Sequence, residues 1–126
     1  MTKMERAAQL RNDPNNHYNC AQAVLIPFAE ELGLTLEQAY ALSAHFGSGM
    51  RAGATCGALT GGLMALGLLG KGPEVAQAFW KDFKEQAGAT NCADLLRLNK
   101  ERGGDKKAHC NALVYIAVGL VEKYAQ

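Results

Sequence analysis

The chain has 126 residues, of which 48% are hydrophobic and 20% are charged, and its formal net charge is +1 at pH 7. This composition is typical of one globular domain with its own core, and the near-neutral charge gives no electrostatic reason to expect nucleic acid or an anionic membrane as a partner. The first residues carry charges where a signal peptide needs an apolar core, and the longest uncharged run, residues 52–70, holds too many glycines for a membrane span. A cytoplasmic protein with reduced thiols is therefore expected.

Helix signals follow one another along the whole chain. Helices are predicted to begin at Lys3, after Asn19, after Thr35, at Cys56, at Pro73, after Asn91 and at about Lys107. Pro27 lies inside the second of them and predicts a kink or a break there. The β-branched residues are few and do not alternate with polar ones, so no strand is expected. The predicted fold is all-α, a compact single-domain bundle of about five to seven helices, with residues 1–18 as an N-terminal helix and turn and residues 19–126 as the core.

A glycine-rich loop leads into the most apolar stretch of the chain. Residues 47–53 contain three glycines, and Thr55 and Cys56 follow them. With Thr55 as the N-cap, Cys56 becomes the first helical residue, where the helix dipole favours a thiolate over a thiol. Arg51 could stabilise that thiolate, and His45, which lies just before the loop, is the histidine expected to reach it.

Gly57 and Gly61 lie one turn apart in the helix predicted after Cys56. Each interior glycine lowers helix propensity by roughly 1 kcal/mol relative to alanine, so a sequence that keeps several of them uses the space they leave. The bare helix face permits the close approach of another backbone or of a cofactor. Gly57 and Gly61 are therefore candidate cofactor-binding residues, with tight helix packing as the alternative.

The cysteines share a local setting. Asn19, Thr55 and Asn91 are helix-capping residues, and each directly precedes a cysteine. Thiols at several helix N-termini indicate a shared site, because the positive ends of the helix dipoles can gather around negative sulfur. The candidate site residues are Cys20, Cys56, Cys92 and Cys110, the last with a less obvious cap.

Two chemistries fit four such thiols. In the first, one thiolate attacks a disulfide and a neighbouring thiol resolves the product, which needs no cofactor. In the second, Cys20, Cys56, Cys92 and Cys110, or three of them with His45 or His109, hold zinc or an iron–sulfur cluster. A third interpretation is a structural helical module that forms a homodimer through its glycine faces, with the cysteines simply packed. The redox partner and the pairing of the cysteines stay open at this point.

The motif Cys56-Gly57-Ala58-Leu59-Thr60-Gly61, with one cysteine before it and two after it, resembles the family C_GCAxxG_C_C, whose members are described as "putative redox-active" proteins. The resemblance covers the chain from about Asn19 to Tyr124. It implies a small, all-helical, intracellular protein of bacteria or archaea, with the four cysteines as its functional positions and the two glycines as motif residues. The leading hypothesis from the residues themselves is a thiol-dependent oxidoreductase, with Cys56 as the dipole-stabilised thiolate and another cysteine as its resolving partner. The basic stretch 97–107 departs from the family pattern.

Overall fold

The computed structural model describes residues 1–126 and contains seven α-helices and one short π-type turn. The elements are α1 (Lys3–Arg11), α2 (Cys20–Glu31), α3 (Leu36–Leu42), the π turn (Gly49–Gly53), α4 (Gly57–Leu68), α5 (Pro73–Ala87), α6 (Cys92–Glu101) and α7 (Lys106–Ala125). The only β-type pairing is an isolated antiparallel bridge between Thr55 and Asn91. The predicted all-α fold is therefore confirmed. None of the helices combines the length and the apolar character that crossing a bilayer requires.

Helix α2 lies at the centre of the molecule. Its residues are buried without interruption from Ala21 to Ala29. A helix that is covered on all sides belongs in the middle of a core, and α2 contacts α1, α3, α4 and α7. Pro27 lies inside α2, but the helix continues through it, so the alternative of a break there is wrong.

The tightest helix contact joins α2 to α4, and glycines make it possible. A Cβ atom on Gly61 would lie 2.6 Å from the carbonyl oxygen of Ala21, and one on Gly57 would lie 2.9 Å from the carbonyl oxygen of Phe46 and 3.2 Å from the amide nitrogen of Ala21. Real Cβ atoms essentially never come within 3.0 Å of another heavy atom, so the 2.6 Å and 2.9 Å distances show that the backbones approach this closely only because these residues lack side chains. Backbone of α2 fills the space beside Gly61, which is therefore not open to a cofactor in this structure.

Helix α5 contributes two aromatic side chains to the core. Phe79 and Phe83 of α5 are fully buried, and the ring of Phe79 lies directly over Gly62 of α4. Helix α5 also contacts α7, which crosses the same core with Val114, a fully buried residue. One cavity is surrounded by the starts of α2, α4 and α6 and by the first turns of α7.

Candidate functional site

One cavity of about 410 Å³ is lined by all four cysteines. Cys20 and Cys92 are the first residues of α2 and α6, Cys56 directly precedes α4, and Cys110 lies in the second turn of α7. All four are free thiols. The structure thus brings together every cysteine that the sequence singled out, although they come from four different helices.

A capping box fixes the position of Cys20. The Asn19 side chain accepts a hydrogen bond from the amide of Gln22 at 2.8 Å, and the Gln22 side chain accepts one from the amide of Asn19 at 2.8 Å. The same two side chains also donate hydrogen bonds to another element. Gln22 Nε2 donates to the carbonyl oxygen of Tyr40 in α3 at 3.0 Å, and Asn19 Nδ2 donates to the carbonyl oxygen of Ala44, just after α3, at 3.2 Å. The start of α2 is therefore tied to a second element as well as capped.

The isolated bridge holds Cys56 beside Cys92. The amide of Cys56 donates to the carbonyl oxygen of Thr90 at 2.8 Å, and the amide of Cys92 donates to the carbonyl oxygen of Ala54 at 2.6 Å. Thr55 is used in this bridge, and α4 begins one residue later than expected, with Cys56 in the N-cap position. The prediction that Thr55 caps α4 is wrong, because its backbone pairs with a segment 36 residues away in the chain.

The glycine-rich loop, residues 47–53, packs against Cys92 and has an unusual backbone conformation. Ser48, Gly49, Met50 and Arg51 have φ angles of 53°, 63°, 58° and 60°, which places four successive residues in the left-handed region. A Cβ on Gly49 would lie 2.7 Å from Cβ of Cys92, so glycine is required there. A left-handed conformation costs a residue other than glycine about 1–2 kcal/mol, and strain of this size is concentrated at functional sites.

Cys110 and Cys20 form the chemically distinctive pair of the site. The neighbouring Cys20 thiol lowers the pKa of Cys110 to about 6, while Arg11 and Lys106 favour the thiolate further and burial opposes it. The same interaction raises the pKa of Cys20, and burial adds to that effect. At neutral pH Cys110 is therefore the thiolate of the pair and Cys20 the thiol.

Cys56 does not carry the low pKa that its helix position predicts. Its side chain is only 3% exposed, and burial raises its pKa to about 11. The amides of Ala58 and Leu59 act in the opposite direction, without the geometry of a capping hydrogen bond. Burial therefore acts against the dipole-stabilised thiolate that the sequence predicts at Cys56, and here desolvation outweighs the helix dipole. Burial also raises the pKa of Cys92.

The charged and basic side chains at the site are only partly those expected. Arg51 Nε donates to Nδ1 of His45 at 2.9 Å, and neither residue lines the cysteine cavity. His109, the other histidine that the sequence singled out, does line the cavity, together with Arg11, Lys106 and His17. Lys106 precedes Cys110 by four residues, a helical spacing that brings side chains to one face and could have identified it.

Arg11 was not predictable from local sequence. It comes from α1, at the other end of the chain from Cys110, and is fixed by hydrogen bonds from Nε to Asn111 Oδ1 at 2.7 Å and from Nη1 to the Tyr18 carbonyl oxygen at 2.9 Å. His109 lines the cavity beside Cys110, and its Nε2 is buried without a hydrogen-bond partner. Burial lowers the pKa of His109, so the neutral imidazole is favoured.

The structure contains no ready-made metal site. No three His, Cys, Asp or Glu side chains are placed so that they could hold one metal ion. The four thiols surround one cavity instead.

Fold and site together define an all-helical domain with four thiols around one cavity. Residues 18–124 match the family described as "Putative redox-active protein (C_GCAxxG_C_C)". The chain belongs to this family, and the resemblance seen in its cysteine motif is confirmed. No curated protein and no solved structure matches the chain.

Proposed function

We propose that the protein is a thiol–disulfide oxidoreductase in which Cys110 attacks and Cys20 resolves. The observation that carries this proposal is the pairing of Cys110 with Cys20 at the wall of a cavity large enough for a small molecule. A thiolate is the attacking species in disulfide exchange, and a neighbouring thiol is needed to release the product. We expect the reaction to take place in the cytoplasm, where other dithiols keep such a pair reduced.

The exchange proceeds in two balanced steps. The Cys110 thiolate attacks one sulfur of a disulfide RSSR, forms a Cys110–SR mixed disulfide and releases RS⁻, which takes up a proton as RSH. Cys20 then loses its proton and attacks the Cys110 sulfur, which forms the Cys20–Cys110 disulfide and releases the second RSH. RSSR is reduced by two electrons and the protein pair is oxidised by two.

Cys56 and Cys92 provide a second dithiol next to the first. Their backbones are joined by the bridge, and both thiols line the same cavity. Attack of this pair on the Cys20–Cys110 disulfide would restore the first dithiol and leave a Cys56–Cys92 disulfide. A two-electron exchange between the pairs needs no other reactant, and an external dithiol would then reduce the second pair.

The order of attack and resolution is tested by trapping. In a Cys56→Ala/Cys92→Ala background, the reduced protein is mixed with bis(2-hydroxyethyl) disulfide at pH 7 and the peptides are mapped by mass spectrometry. We expect the Cys20–Cys110 disulfide in this background, since the resolving thiol is present. Adding Cys20→Ser should leave a stable mixed disulfide on Cys110.

The matched control replaces the other member of the pair. With Cys110→Ser in the same background, Cys20 should stay largely unmodified, because burial still raises its pKa after the contribution of Cys110 is removed. A stable adduct on Cys20 in that variant, or no adduct on Cys110 when Cys20 is absent, would overturn the assignment. Circular dichroism of each variant confirms that the helices are intact.

A further inference from the structure

The walls of the cysteine cavity contain no acidic residue. Its permanently charged side chains are those of Arg11 and Lys106, and neither forms a salt bridge. Two cations face at most one Cys110 thiolate, so the cavity keeps a net positive charge. This charge balance bears on which molecules can enter the cavity.

The cations are also free to bind a ligand. Arg11 uses Nε and Nη1 in hydrogen bonds to the protein, which leaves Nη2 without a partner. Lys106, the exposed first residue of α7, forms no hydrogen bond or salt bridge through its side chain. The nearest carboxylate in sequence, Asp105, accepts a hydrogen bond from the amide of Ala108 at 2.9 Å as the cap of α7.

We propose that the cavity takes low-molecular-weight disulfides that carry carboxylate or other anionic groups. The volume of about 410 Å³ suits a small molecule, because ligand pockets begin at roughly 300 Å³. Arg11 and Lys106 bind the anionic groups, and apolar walls such as Leu95 and Leu113 contact the carbon chain around the sulfurs. This inference rests on the proposed function, since it names the class of disulfide that Cys110 attacks.

The test compares three small disulfides of similar size and different charge. Reduced protein reacts with 3,3′-dithiodipropionate, bis(2-hydroxyethyl) disulfide or cystamine, which are anionic, neutral and cationic at pH 7. Each rate is divided by the rate of the same disulfide with free 2-mercaptoethanol, which removes differences in intrinsic reactivity. We expect the normalised rates to fall in the order anionic, neutral, cationic, and the differences to shrink as salt is added.

Lys106→Gln and Lys107→Gln form a matched pair of variants. Both lysines are exposed and adjacent in α7, but only Lys106 lines the cavity. Lys106→Gln should lower the ratio of the anionic to the neutral rate by about threefold to tenfold, whereas Lys107→Gln should leave it within about twofold. Lys106→Arg should restore the ratio. Because the ratio is taken within one variant, a change in Cys110 reactivity cancels.

The outcomes separate the two proposals. Equal normalised rates for all three disulfides, or an equal effect of the two glutamine variants, would overturn the proposed preference for anionic disulfides. Neither result would contradict the proposed thiol–disulfide exchange itself. If no disulfide reacts faster with the protein than with the free thiol, the proposed function itself fails.

Discussion

Replacing Cys110 with serine should reduce the rate at which the reduced protein reacts with a small disulfide at pH 7 by about 100-fold. The pKa of Cys110 is lowered to about 6, which favours the thiolate at this pH, whereas Cys56, with a pKa of about 11, supplies almost none. The pKa values of Cys20 and Cys92 are raised as well. Stopped-flow measurement of thiol consumption gives the rate.

The rate of reaction with the small disulfide should also depend on pH. A thiol with a lowered pKa gains thiolate at lower pH, so the wild-type rate should rise through about pH 6 and level off near neutrality. The Cys110→Ser variant should become reactive only in alkaline solution. Cys92→Ser, which removes another partly buried thiol of the same cavity, serves as the control and should keep the wild-type profile. A wild-type midpoint near pH 9, or a Cys110→Ser variant with the wild-type rate at pH 7, would contradict this account.

Gly61→Ala should lower the free energy of unfolding by about 2 kcal/mol or more. The new Cβ would lie 2.6 Å from the carbonyl oxygen and 3.0 Å from Cα of Ala21, and these backbone atoms cannot rotate away as a side chain can. Helices α2 and α4 would have to separate at the contact that places Cys20 near Cys56. Urea unfolding followed by circular dichroism measures the change.

Gly67→Ala is the matched control for this prediction. Gly67 lies in the same helix, but a Cβ there would meet nothing within 4 Å. Alanine should therefore raise the free energy of unfolding by about 0.5–1 kcal/mol through helix propensity alone. If Gly61→Ala behaved like Gly67→Ala, the close contact between α2 and α4 would be wrong.

The helix starts that could be predicted are those set by local contacts. Asn19, Thr35 and Asn91 each accept a hydrogen bond from an amide two or three residues later, so the signal lies within one turn of sequence. The start of α4 was misplaced by one residue because Thr55 pairs with Asn91, far away in the chain. The gathering of Cys20, Cys56 and Cys92 was predictable, since their position at helix starts repeats along the chain, whereas Cys110, in the second turn of α7, does not share that signal.

The roles of the individual cysteines were not predictable in the same way. The helix dipole favours a thiolate at Cys56, but the depth of burial that reverses the effect is a property of the folded core. The pKa of Cys110 depends on Cys20, which lies in another helix, and on Arg11 from α1. Local sequence reports which residues can begin a helix, whereas these thiol pKa values are set by tertiary neighbours.

We propose Cys20 and Cys110 as the reactive pair. This proposal is tested most directly by treating the reduced wild-type protein with one equivalent of diamide under anaerobic conditions and mapping the disulfides by mass spectrometry at short times. We expect the Cys20–Cys110 disulfide to appear first. The Cys56–Cys92 disulfide should then increase as the first one decreases, or after a second equivalent of oxidant is added. A first disulfide that joins Cys56 to Cys92 without passing through Cys20–Cys110, or four thiols that all stay free, would contradict it.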